Sequence, residues 1–379
     1  MMNTNKKVLI IENRPDYGLG GVENYNTSLI DILKTNFNNV IIHKACLLDV
    51  FNNTKDQKIP EEFFHLDGTE ALTKNQNRLN FKLKIGFHIK KFRKLIYELE
   101  NKYHYDLIID STISYYEKFK NKDNFIWVQH VTPEFYEMKH LKGINQFINL
   151  FSTKLFGMKN PILNYHNIVM YDQFNLKYVQ KKRNDLFEYN LISLSSNKEV
   201  NLLNLNNLKY RKKIIYFGRI ENEQKDIDKL IAINDKIHLI DFYGNGEESL
   251  IKKLGDSYKG KLEHKNMNEI LQKYKFSILL SKYEGFSFSL VESLSNGLPS
   301  ILSNTYQSAK FLIDNNHNGL LIEKDWNIDK ICDEIIKIYN LNDEEYLKLV
   351  NNSYNFAKNN LTYDLFSQKW LKIFNKYLK

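Results

Sequence analysis

Short, continuously apolar runs that alternate with helical stretches constrain this 379-residue chain more than any other feature. Residues 7–12 (KVLIIE) form the first run, followed by the glycine cluster GLGG at 18–21 and a helical pattern, VENYNTSLIDILK. Runs at 40–43, 107–110, 125–129 and 168–171 repeat the theme. A strand that is apolar at every position has no polar face to offer water, so it belongs in a parallel sheet covered on both sides by helices. At 193–209 the pattern dissolves into SLSSNKEVNLLNLNNLK, and a second series begins at 213–217 (KIIYF), 238–243 (HLIDFY), 276–281 (FSILLS) and 298–302. The expected fold class is α/β, with two units each built on a doubly wound parallel sheet. The expected boundaries are 1–195 for the first domain and 196–360 for the second, with a C-terminal helix in 361–379 packing back on the first. Such units have ordinary domain sizes.

Composition closes off several function classes. Hydrophobic residues make up 42% of the chain and aromatics 13%, enough for real cores and too much for wholesale disorder. No window of about eighteen residues is continuously apolar, as a membrane-spanning helix requires. The opening MMNTNKKVLIIENR runs straight into a strand-like stretch, without the apolar core and cleavage site of a signal peptide. Cys46 and Cys332 are too far apart in sequence to form a zinc spacing or a disulfide framework. The expectation is a cytoplasmic protein. Its net charge of +9 suits a nucleic acid, an anionic lipid or a phosphorylated small molecule as partner. No recognition motif for nucleic acid accompanies the basic runs, so nucleic acid is set aside.

Four segments carry chemistry. The first is 282–303 (KYEGFSFSLVESLSNGLPSILS), where a strand ends, a glycine turn follows and 290–295 opens a helix. Backbone N–H groups at such a helix start form an anion site. Glu284 precedes the turn and Glu292 lies in the early helix, so two carboxylates can face one ligand. An ordinary helix start beside a surface charge would read the same way. The second is 216–225 (YFGRIENEQK), in which Gly218 permits a tight turn and Arg219 and Lys225 follow. Two cations at the carboxyl end of a parallel strand suit a diphosphate, although the neighbouring Glu221, Glu223 and Asp226 equally suit a solvated charged loop. The third is 18–23 (GLGGVE), whose glycines allow close approach to the backbone but lack the dinucleotide GxGxxG spacing. The fourth is His130 in FIWVQHVTPEF, just past a strand-like run. The other histidines form no metal spacing.

Taken in order, the glycine loop, the central histidine, Gly-Arg with a following Lys, and Glu-x7-Glu resemble the retaining nucleotide-sugar-dependent glycosyltransferases of GT-B architecture, in particular family 4. EGFSFSLVESLSNGLPSI is the most specific part of the likeness. The resemblance implies two Rossmann-like domains facing a central cleft, and a hexosyltransferase with a UDP-sugar donor and no cofactor or metal. It gives Arg219 and Lys225 the donor diphosphate, Glu284 the sugar hydroxyls and Glu292 the ribose. The amides of Phe288 and Ser289 would meet the phosphate, and Gly285, Phe286 and Ser287 would lie along the sugar. Gly20 and Gly21 would approach the diphosphate, His130 would reach the sugar near the reacting carbon, and Asn266, after a strand-like HK, would contact the base. Glu284, His130, Arg219 and Lys225 are the catalytic candidates. Three departures stand out: Ser287 replaces the usual glycine of the EGFG element, Asp226 replaces the glycine common after the lysine, and TYQSAKFLI replaces a glycine-rich stretch.

The implied acceptor is a hydroxyl of a glycan precursor, lipid-linked in many relatives. Residues 81–94 (FKLKIGFHIKKFRK) hold six Lys or Arg and no acid, and 138–171 is likewise free of acids. A basic amphipathic helix there suits either an anionic membrane at the inner face of the cell membrane or plain packing on the first sheet. Other readings are transfer to a protein acceptor such as a Ser/Thr-rich adhesin, and a non-catalytic binding subunit. The presence of Arg219, Lys225, Glu284 and Glu292 ranks the non-catalytic reading lower.

Overall fold

A computed structural model describes residues 5–13, 21–47, 63–65, 78–112, 114–133, 159–195 and 211–379. The chain divides into two compact units. The first gathers Met1–Tyr171, Leu176–Ile192 and Ser367–Lys379, and the second Asp172–Asn175 and Ser193–Phe366.

The first unit is built on a parallel sheet of β1 (Lys6–Glu12), β2 (Val40–Cys46), β3 (Phe63–His65), β4 (Leu107–Asp110), β5 (Phe125–Val128), β6 (Asn167–Met170) and β7 (Glu188–Leu191). The order is β3-β2-β1-β4-β5-β6-β7. Val8 to Ile11 in β1 and Leu107 to Ile109 in β4 have no solvent exposure, which is why these stretches of the two strands are apolar throughout. The helix Gly21–Asn36 buries Tyr25, Leu29, Ile32 and Leu33, spaced to make one apolar face. Sheet order reverses between β1 and β4, and a buried polar network closes that crevice. Lys44 pairs with Glu12 at 2.5 Å, Asn26 donates to Glu12 at 3.0 Å, and Ser111 donates to Asn26 at 2.8 Å. The helix Tyr363–Leu378 brings Trp370 into this unit, its indole N–H donating to Tyr25 Oη at 3.0 Å.

The basic stretch lies in the helix Arg78–Tyr103. Ile89, Phe92, Ile96 and Leu99 are buried in the first unit's core, so this part of the apolar stripe is spent on packing, while Phe87 is exposed. The alternation of 81–89 therefore belongs to a helix and not to a strand. Of the acid-free stretch 138–171, residues 138–158 lie outside the described residues. Among the described residues no helix is long and apolar enough to cross a membrane.

The second unit is a parallel sheet of β8 (Ile214–Phe217), β9 (Ile240–Tyr243), β10 (Phe276–Leu279), β11 (Ser300–Ser303) and β12 (Gly319–Ile322), in the order β12-β11-β10-β8-β9. Two strands start later than their apolar runs suggest, for local reasons. His238 is the left-handed C-cap (φ 53°) of the helix Ile227–Ile237, so β9 begins only at Ile240. Gly297 (φ 58°) ends the helix Phe288–Ser295, with Leu298 N donating to Ser293 O at 2.9 Å and Gly297 N to Leu294 O at 3.0 Å. That is a Schellman motif, and it gives the Asn-Gly-Leu-Pro segment a structural reason to exist.

Candidate active site

Order in the second sheet reverses between β8 and β10, and ligands of open parallel sheets bind outside the carboxyl ends of strands at such a point. The loops that leave β8 and β10 carry the two most informative sequence segments. Lys225, at the end of the first loop, makes a short buried ion pair with Glu284 Oε1 in the second, the side chains being 11% and 8% exposed. Ser281 Oγ donates to the same oxygen at 2.8 Å. Gln224 Nε2 donates to Glu284 Oε2 at 3.0 Å and to Tyr283 O at 3.1 Å. The other end of that amide accepts from Arg219 Nη2 at 2.5 Å. Arg219 thus reaches Glu284 through Gln224, while its own side chain remains 68% exposed.

The two cations expected to act side by side therefore differ. Lys225 is a buried charge neutralised by a carboxylate, and Arg219 is an exposed fork at the loop's surface. Gln224 and Ser281 complete the arrangement. Neither stands out in the sequence, because a neutral side chain gains its importance only from what the fold sets beside it. Asp226 explains one departure from the resembled pattern. Its φ is 55°, in the left-handed region where glycine is the default and Asp among the better-tolerated alternatives, and Lys282 pairs with it at 3.0 Å.

Ser287 explains another. It precedes the helix Phe288–Ser295 with φ −94° and ψ 120°, extended backbone open to any residue, so no glycine is required. Its hydroxyl meets Ser289 Oγ at 2.9 Å without capping the helix. The helix starts at Phe288, two residues before the expected 290, so the amides of Phe288 and Ser289 belong to its first turn and have no intrahelical acceptor. Gly285 and Phe286 are buried between this helix and Glu284, and Glu292 is buried one turn further on.

Asn266 sits exposed in the helical turn His264–Asn266, which corrects the strand-like reading of its neighbours. Gly21 is the first residue of the helix Gly21–Asn36, whereas Gly20 lies outside the described residues. An element that sequence reading missed is the loop after β9. Gly244 and Gly246 pack backbone to backbone against the loop after β8: Gly218 N donates to Tyr243 O at 3.1 Å and Ile220 N to Asn245 O at 2.9 Å. The signal was available as Gly-x-Gly directly behind a strand-like run. Among the described residues no group of three or more His, Cys, Asp or Glu is placed to hold a metal ion.

In the first unit, His130 follows β5. Its ring stands edge-on to Tyr25 with centroids 5.0 Å apart, Nδ1 shares a hydrogen bond with Tyr171 Oη at 2.9 Å, and Nε2 is buried with no partner among the described residues. Burial pushes the imidazole down from 6.5 to about 3. Below pH 6.5 the unfolded chain binds a proton that the folded chain refuses until about pH 3, so this group's contribution is complete above 6.5 and is lost as pH falls. The thermal midpoint of the wild type is expected to drop more steeply with acidification through this window than that of His130→Asn. Parallel curves would show that the folded state accepts the proton.

Residues 202–356 match the family model described as Glycosyl transferases group 1. Among curated proteins, the chain is similar to the UDP-N-acetylglucosamine--peptide N-acetylglucosaminyltransferase GtfA subunit of Limosilactobacillus reuteri, at 28% identity over 179 residues, 42% of this chain and 34% of that one. It is also similar to the GalNAc-alpha-(1->4)-GalNAc-alpha-(1->3)-diNAcBac-PP-undecaprenol alpha-1,4-N-acetyl-D-galactosaminyltransferase of Campylobacter jejuni, at 31% identity over 180 residues, 42% of this chain and 47% of that one. The chain thus spans less than half the length of either relative. Among solved structures it is similar to sucrose-phosphate synthase from Thermosynechococcus elongatus, with a TM-score of 0.73 at 15% identity over 98% of this chain and 99% of that one. At that identity the likeness speaks for the fold, two parallel-sheet α/β domains of GT-B type. The group 1 match supports that family for the segment it covers.

Proposed function

We propose, starting from the nucleotide-sugar transferase that the group 1 match supports, a retaining enzyme that moves a hexose-type sugar from a UDP-sugar to a hydroxyl of a cell-surface glycan precursor, lipid-linked and met at the inner face of the membrane. The observation that carries this reading is the meeting of Lys225, Gln224, Arg219 and Glu284 at the point where the second sheet reverses, with the start of the helix Phe288–Ser295 following the same loop. In this reading 196–360 binds the donor and 1–195 the acceptor.

The chemistry follows from charge. A leaving nucleoside diphosphate gains negative charge in the transition state, and fixed cations and amides stabilise it without reorganising. Lys225 and Arg219 take the diphosphate, with the amides of Phe288 and Ser289 beside them. Glu284, held by three donors, presents its remaining lone pairs to the sugar hydroxyls, and Glu292 takes the ribose. The acceptor hydroxyl attacks on the face that the diphosphate leaves. The roles that the resemblance gives Gly20, Gly21, Gly285, Phe286, Ser287, Asn266 and His130 belong to the same proposal, as does transfer without a metal or cofactor. A second reading, a protein acceptor, draws support from the Limosilactobacillus relative, whose name specifies a peptide acceptor.

The test is slow nucleotide release from a panel of UDP-glucose, UDP-galactose, UDP-N-acetylglucosamine, UDP-N-acetylgalactosamine and GDP-mannose, with and without a chelator. One UDP-sugar is expected to be consumed by the wild type, spared by Glu284→Ala and Arg219→Ala, and consumed equally in the chelator. Activity that vanishes in the chelator and returns with a divalent ion would refute metal independence. No consumption and no thermal stabilisation by any donor would remove the nucleotide-sugar reading.

A further inference from the structure

The turn that replaces the resembled glycine-rich stretch is tied to the donor loop at both ends. Ser303 Oγ and Thr305 Oγ1 each donate to Ser281 O at 2.7 Å, and Ser308 Oγ lies 3.0 Å from Gly285 O. Ser308 has one proton between two acceptors, because Asp172 Oδ2 is 2.6 Å away on its other side. Asn175 Nδ2 completes the cluster, donating to Asp172 Oδ2 at 2.7 Å and to Ser308 Oγ at 2.8 Å. Asp172 is itself fixed, its Oδ1 accepting from Phe174 N at 2.8 Å and Asn175 N at 3.1 Å at the start of the helix Gln173–Gln180. Asp172 is 2% exposed, and Asn175 and Ser308 have no exposure at all. All four residues that meet here, Gly285 included, belong to the second unit, although 172–175 follow directly on β6 of the first sheet.

An apolar contact would hold the turn against the donor loop without the cost of burying a carboxylate. Directed hydrogen bonds to Asp172 and from Asn175 instead fix where the Ser308 hydroxyl sits. Its single proton is shared between Asp172 and the carbonyl oxygen next to Glu284. We infer that Asp172 is a positioning residue for the donor sugar: through Ser308 it sets the Gly285 carbonyl, and with it the backbone between Glu284 and the start of the helix Phe288–Ser295. The inference rests on the donor-site reading above and adds to it a device specific to the sugar half of the donor, the half assigned to Gly285. The motif segments carry no trace of it, because Asp172 is 136 residues from Ser308.

The experiment measures the binding of UDP and of the UDP-sugar selected by the donor panel to the wild-type protein, Asp172→Ala, Ser308→Ala and the double variant, with thermal midpoints alongside. Ser308→Ala leaves the helix cap at Asp172 intact, so it keeps the test standing if Asp172→Ala fails to fold. The UDP-sugar is expected to bind about tenfold more weakly to Ser308→Ala, the scale of one displaced buried hydrogen bond, with UDP alone changing less than about twofold. Asp172→Ala is expected to add nothing in the Ser308→Ala background, since it acts through that hydroxyl. Equal weakening of UDP and UDP-sugar in step with the thermal midpoint would mean plain structural support and would overturn the inference, as would no change in either. A wild type that binds neither ligand reports the failure of the donor reading itself.

Discussion

Lys225→Ala is expected to lower kcat/KM for the preferred donor by about 10³-fold, the scale of removing a preorganised group that stabilises developing charge. The size follows from how the site is charged. Lys225 is the cation nearest Glu284, buried with it, whereas Arg219 is mostly exposed and touches the carboxylate only through the Gln224 amide. Arg219→Ala is therefore expected to cost less, about 10²-fold, and Lys379→Ala at the exposed C-terminus nothing. Stability falls too, because a buried carboxylate that loses its cation costs about 3 kcal/mol even with Ser281 and Gln224 still donating. The two effects separate in the double variant Lys225→Ala/Glu284→Ala. It removes the stranded charge, so the thermal midpoint is expected to recover while turnover stays lost. Equal turnover in Lys225→Ala and Lys379→Ala would end the phosphate assignment, and recovery of turnover in the double variant would make the pair merely structural.

How far the sequence could be read depends on where each residue's determinants lie. β1, β4, β5, β8 and β10 run through the middle of their sheets, are buried on both faces, and so appear as continuous apolar runs. β3, β7 and β12 were missed; β7 (EYNL) is an edge strand, half-exposed and polar, and leaves no such run, whereas β12 (GLLI) is fully buried and leaves a short one. The shifted starts of β9 and β11 come from the left-handed residues His238 and Gly297, a conformation that composition hints at for glycine but not for histidine. Lys225 and Glu284 were legible as motif residues, but their pairing is a tertiary fact, as are the bonds of Gln224, Ser281 and Asp172. Hydrogen-bond partners drawn from different strands carry no fixed spacing along the chain.

Gly244→Ala is expected to be the most damaging single methyl in the second unit. A Cβ at Gly244 would sit 1.7 Å from Gly218 O, and the residue's φ of +147° is one that L side chains rarely adopt. The obstacle is a backbone carbonyl, which cannot rotate aside as a side chain would. Either the bond from Gly218 N to Tyr243 O breaks, or the loop that carries Arg219 and Lys225 moves with it. Strain and clash together are expected to cost about 3 kcal/mol or more, with UDP affinity lost in the fraction that still folds. Two other glycines take the effect apart. Gly255 has a φ of +53° with a ψ of −132°, a region outside the left-handed helical well and open mainly to glycine, with nothing within 4 Å of a new Cβ, so Gly255→Ala meets only the conformational cost of about 1–3 kcal/mol. At Gly246 no unusual φ is involved, but a Cβ would lie 1.9 Å from Ile220 O, so Gly246→Ala meets the clash alone. If the two loops form one rigid cradle for the diphosphate, Gly244→Ala and Gly246→Ala weaken UDP binding while Gly255→Ala lowers only the thermal midpoint. UDP binding by Gly244→Ala that matches Gly255→Ala would mean the loops move independently and that the loop after β9 has no part in holding the donor.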